Sequence, residues 1–70
     1  MIVHVENQEI DIFSGALVKD ALLKYSKTEY HEVLNGTKQT VDKWGNRVET
    51  DGELSENQKL FIKPIPGEKS

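Results

Sequence analysis

The sequence predicts a small α+β domain built on a mixed β-sheet, and three observations carry that prediction. Two short runs with strand character, Ile2-Val3-His4-Val5-Glu6 and Glu9-Ile10-Asp11-Ile12-Phe13, lie on either side of Asn7-Gln8. A run with helical periodicity follows, from Ala16 to Tyr25. A last apolar run, Leu60-Phe61-Ile62, closes a long middle region rich in turn residues.

In the first pair of runs, Ile10 and Ile12 alternate with Glu9 and Asp11, the period of a half-buried strand. Two such runs joined by two turn-type residues predict a β-hairpin with Asn7-Gln8 at its tip. Ser14-Gly15 breaks the second strand, and the Ser14 hydroxyl is suited to cap a helix beginning at Ala16. Leu17, Val18, Ala21, Leu22 and Tyr25 then share one helical stripe, with Lys19, Asp20 and Lys24 largely off it. A helix of about three turns with one apolar stripe needs a sheet to cover it.

Ser26 to Gly36 has two readings. Ser26-Lys27-Thr28-Glu29 matches a capping box, and Tyr30, Val33 and Leu34 follow at helical spacing before Asn35-Gly36. The other reading is a strand over His31–Leu34 with Asn35-Gly36 as a hairpin turn; the short second helix is preferred. Further on, Thr40-Val41-Asp42 and Arg47-Val48-Glu49 flank Lys43-Trp44-Gly45-Asn46 and predict a second hairpin. Asp51-Gly52 makes another turn, Leu54 is an apolar anchor in a polar loop, and Pro64 and Pro66 end the last strand.

A helix lying between a hairpin and a later strand has to cross one face of the sheet. The crossover is normally right-handed and leaves the final strand parallel to the first. This is the layout of a β-grasp fold, with residues 1–65 as one domain and 66–70 as a flexible tail.

Composition limits what such a chain does. With 70 residues it buries roughly 60% of its unfolded surface, enough for one small core and no deep pocket. The absence of cysteine excludes disulfides, thiolate nucleophiles and cysteine-ligated metals. Net charge is −3 with both signs interleaved, which argues against nucleic acid as a partner. No signal-peptide pattern opens the chain and no apolar run reaches membrane-spanning length, so a soluble cytoplasmic protein is expected.

The β-grasp order, the Val18-Lys19-Asp20-Ala21-Leu22 helix and the Asp51-Gly52-Glu53-Leu54 turn together resemble the ThiS/MoaD-like sulfur carriers of the ubiquitin-like superfamily. The resemblance covers residues 1 to 65. It implies a carrier whose terminal Gly-Gly carboxylate is adenylated by an E1-like enzyme and converted to a thiocarboxylate. Here the chain departs from the family: Gly67 follows Pro66 and precedes Glu68, Lys69 and Ser70. Proline stiffens a tail that has to be pliable. Gly67 is the one candidate for a modified tail position, with turn punctuation as its simpler role.

Elsewhere the residues point to contact more than to chemistry. His4 and His31 have no ligand partners at useful spacing, and neither metal nor cofactor is expected. Glu9 and Asp11 fit a solvated strand face, and Trp44 is expected mainly to cover the edge of the core. If Val3, Val5, Leu60 and Ile62 face the helix, the opposite face carries Ile2, His4, Phe61 and Ile65, rimmed by Lys63. An exposed apolar patch on a small protein marks an interaction surface. The expectation is a non-catalytic, monomeric protein-interaction domain whose partner is a protein, such as an E1-like adenylating enzyme or a larger enzyme complex. The alternative is a sulfur carrier activated after C-terminal processing.

Overall fold

A computed structural model describes residues 1–65. The expected flexible tail, and Gly67 within it, lie outside these residues. The chain forms β1 (Ile2–Val5), β2 (Gln8–Asp11), α1 (Val18–Tyr25), α2 (Lys27–Leu34), β3 (Lys38–Val41) and β4 (Lys59–Pro64). The strands make one four-stranded sheet in the order β2-β1-β4-β3. β1 is antiparallel to β2 and parallel to β4, and β4 is antiparallel to β3. The result is an α+β molecule with a mixed sheet and two helices, compatible with a β-grasp-like arrangement.

The register sorts the side chains. Val3 pairs with Ile10, Val5 with Leu60, and Thr40 with Ile62. All of these point toward the helices, where Val3, Val5, Ile10 and Leu60 are buried with Val18, Ala21 and Leu22 of α1. Tyr25, Tyr30, Val33 and Ile62 pack around this cluster. α2 therefore belongs to the same side of the sheet, and Lys38 of β3 ties it down with a 2.8 Å bond to the Glu29 carboxylate. That hydrogen bond is the main reason the Lys38 pKa lies above its usual 10.5.

The first hairpin turns one residue earlier than expected. Val5 is opposite Gln8, so Glu6-Asn7 form the tip, with φ of 53° and 66°. Two successive positive φ values make a type I′ turn, whose twist suits adjoining strands. A tip at Asn7-Gln8 would instead have set Glu6 against Glu9, and like charges directly opposite are unfavourable. In the observed turn the Glu6 carboxylate accepts the Ile62 N–H at 2.6 Å, a donor that β1 is too short to reach.

Ser14 does not cap α1. The helix starts at Val18, and its free amide groups are met from elsewhere. Leu17 N–H donates to the Asp20 carboxylate at 2.9 Å. Val18 and Lys19 donate to the carbonyls of Gly52 and Thr50, each at 2.9 Å. The Asp51-Gly52-Glu53-Leu54 stretch is thus the N-terminal clamp of α1: Leu54 N–H returns a 3.0 Å bond to Ala16 O, and the Leu54 side chain is buried. A Cβ at Gly52 would meet the Glu49 carbonyl at 3.2 Å. Gly52→Ala is expected to cost about 1 kcal/mol, the lower end of overpacking costs, because the obstacle is backbone. Urea titration checks this; an unchanged midpoint would mean that the loop gives way freely.

The ambiguous middle is helical. Ser26 Oγ accepts the Glu29 N–H at 3.3 Å, and Gly36, at φ 87°, follows the helix end at Asn35. The predicted second hairpin forms, with very short arms. The Asp42 carboxylate accepts from the amides of Trp44 and Asn46, both at 2.9 Å, and winds the loop. The returning arm pairs through a bridge of Arg47 to Val41, flanked by a 2.9 Å bond from Asp42 N–H to Asn46 O and a 2.8 Å bond from Val48 N–H to Thr40 O. It then leaves the sheet to reach α1.

β4 ends at Pro64 as expected, with the proline as its last residue, opposite Lys38. Ile62 N–H points toward the β1 side, and so does the nitrogen of Pro64 two residues later, beyond the end of β1. Proline is tolerated where no ladder donor is needed. Pairing with β3 continues past it, as Ile65 N–H donates to Thr37 O at 3.1 Å.

Candidate interaction surface

The face of the sheet turned away from the helices is built by alternation. Along β1 it receives Ile2 and His4, between the buried Val3 and Val5. Along β4 it receives Lys59, Phe61 and Lys63, out of phase with buried Leu60. His4 stands between Glu9 of β2 and Lys59 of β4, Ile2 stands beside Asp11, and Phe61 stands beside Val41 of β3. Lys63 is opposite Gln39. Neither helix crosses this face.

Ile2, His4 and Phe61 are half-buried and Lys63 is exposed. Strand spacings put His4 and Phe61 about 8 Å apart on the diagonal. Ile65 is separate from this group. Its amide is bonded to Thr37, and its side chain borders the concavity beside Val33 and Leu34 at the β3 edge. Ile65 follows the end of β4, four residues beyond Phe61, about 13 Å away at strand rise. The five sequence-selected residues therefore make a compact group of Ile2, His4 and Phe61, an extension at Lys63 and a distant point at Ile65.

The face is charged as well as apolar. Glu9 and Asp11 border it on the β2 side, and Lys59 and Lys63 run along β4. The Asp11 carboxylate is 3.9 Å from the N-terminal ammonium of Met1. His4 Nδ1 is buried and has no hydrogen-bond partner among the described residues. His31 is exposed on α2, edge-on to Tyr30 with ring centroids 5.6 Å apart. Among the described residues, no three His, Asp or Glu side chains converge as metal ligands. No helix there is long and apolar enough to cross a membrane.

The largest exposed apolar side chains are not on this face's central group. They are Phe13, Leu23, Leu34 and Trp44. Trp44 does not cover the core as expected: it is 75% exposed at the loop tip, with Lys43 Nζ 4.6 Å from the ring centroid. The Asp42 turn holds the tip away from the sheet, and the lysine covers one face of the indole through a cation–π contact. Phe13 and Leu23 carried a signal in the sequence. Phe13 is out of phase with Ile10 and Ile12, and Leu23 is off the helical stripe of Leu22. Comparison of the chain with family models, with curated proteins and with solved structures finds no match.

Proposed function

We propose that this chain is a ubiquitin-like β-grasp domain that works by binding another protein, without catalysis of its own. The observation that carries the reading is the one-sided sheet: both helices pack on one face, and the other presents Ile2, His4 and Phe61 between acidic and basic strips. A small domain with no use for that face gains nothing from half-exposed apolar residues on it. The partner is a protein, and an E1-like adenylating enzyme or a larger enzyme complex fits the family resemblance.

The test uses partners recovered from the protein's own cells and then purified. Phe61→Ala is expected to weaken such a complex more than tenfold, as truncation of an aromatic anchor does. Melting of the free protein should show that the variant still folds. Unchanged affinity would remove the open face from the contact.

The sulfur-carrier alternative rests on the same strand order, because β4, the last strand among the described residues, precedes residues 66–70. Its test is the intact mass of the protein from its own cells. Cleavage after Gly67 with oxygen replaced by sulfur would support the carrier; an unprocessed mass would count against it.

A further inference from the structure

A second surface lies at the opposite edge of the sheet from β3. Among the described residues β2 is an edge strand, paired only with β1. In the hairpin, Val5 and Gln8 close the two-residue turn, and Ile12 N–H donates to Met1 O at 2.8 Å. By that alternation Gln8, Ile10 and Ile12 direct their backbone groups at β1. The N–H and C=O groups of Glu9 and Asp11, and the N–H of Phe13, point out of the sheet. This is a free template for one more strand.

Beside this edge the surface is hollowed. A concavity of about 720 Å³ runs between the end of β2 and α1, bordered by Asp11, Phe13, Asp20, Leu23 and Lys24. Phe13 is 63% and Leu23 47% exposed, so two large apolar side chains flank an unpaired backbone edge. A strand laid on β2 would alternate its side chains between this hollow and the open face.

Charge decides what kind of strand fits. Glu9 and Asp11 are the outward side chains of the edge and lie on one face. A second copy pairing antiparallel through the same edge would bring these carboxylates opposite one another, and like charges so placed are destabilising. A segment carrying basic residues at alternate positions reverses that term. Its intervening side chains would be apolar, to fill the hollow between Phe13 and Leu23.

We propose that the outer edge of β2, with the Phe13–Leu23 hollow, binds an extended, proline-free segment of a partner protein in which basic and apolar residues alternate. Main-chain pairing supplies the affinity, and the two side-chain rows supply the choice of sequence. This surface shares Glu9 and Asp11 with the border of the open face but does not use Ile2, His4 or Phe61.

The experiment pans a random twelve-residue peptide library, displayed on phage, against the full chain. The strongest binder is then synthesised and titrated by amide chemical-shift mapping. The expected binder alternates apolar with basic residues and shifts the amides of Glu9, Asp11, Phe13 and Leu23. Methylating its alternate backbone nitrogens on the pairing side should abolish binding. Phe13→Ala combined with Leu23→Ala should weaken it at least tenfold, with the fold checked by circular dichroism. Glu9→Lys combined with Asp11→Lys should do likewise, while Phe61→Ala should leave it unchanged.

Several results would overturn the proposal: no peptide enriched, enrichment without the basic alternation, or indifference to backbone methylation. A dimer in sedimentation that Leu23→Asp dissolves would also overturn it, since the occupant would then be a second copy.

Discussion

Leu22→Ala is expected to lower the melting temperature by about 12–24 °C, the shift that about 3 kcal/mol produces in a domain of this size. Leu22 is fully buried and lies in the cluster that joins α1 to the sheet through Val3, Val5 and Leu60. Removing a buried leucine side chain costs about 2–5 kcal/mol, the transfer of its methyl groups plus the cavity left behind. Seventy residues supply a total stability of only roughly 4–10 kcal/mol. One substitution therefore takes a large share of what holds the molecule together. The neighbouring Leu23 is the control. It is 47% exposed on the same helix, and Leu23→Ala should cost less than about 1 kcal/mol. Helix propensity does not explain the difference, since alanine is the better helix former and both sites are helical. Thermal melts of the two variants decide the matter. Equal shifts would mean that α1 is not seated on the sheet as described.

The contrast between these adjacent leucines shows which parts of the fold are local in origin. Strand faces are legible in the sequence because period-two alternation is a local property. Val3 and Val5, then Ile10 and Ile12, choose the buried side, and Ile2, His4 and Phe61 follow to the other. The stripe of α1 is legible for the same reason. The start of α1 is not. Its amides are met by Gly52 and Thr50, far along the chain, and no local pattern announces a distant carbonyl as a cap. Pro64 is legible as the end of β4, but that it can still pair with Lys38 depends on its missing N–H facing away from β3, beyond the end of β1. Ile65 has the alternation of the open face but leaves the strand before it can join the group there. The hollow beside β2 depends on Phe13 and Leu23 meeting across two elements. Each is recognisable in the sequence as out of phase with its own element, yet their proximity is a tertiary fact.

Thr40→Val is expected to stabilise the protein by about 1–2 kcal/mol, the desolvation cost released when an unsatisfied buried hydroxyl is removed. Thr40 sits on the helix-facing side of β3 opposite Ile62, and only 1% of it reaches solvent. Its Oγ1 has no hydrogen-bond partner among the described residues. Its backbone carbonyl accepts from Val48, a bond that the substitution leaves in place. Valine has nearly the same shape and is at least as suited to a strand, so neither cavity nor propensity opposes the gain. The melting temperature should rise by about 4–16 °C. Thr40→Ser keeps the hydroxyl and deletes the methyl group, so it should move stability the other way, by about 0.5–1.5 kcal/mol. The two variants separate polarity from packing at a single site. If valine lowered the melting temperature, the hydroxyl would have a partner in solution, an ordered water being the nearest candidate, and the β3 side of the core would be wet.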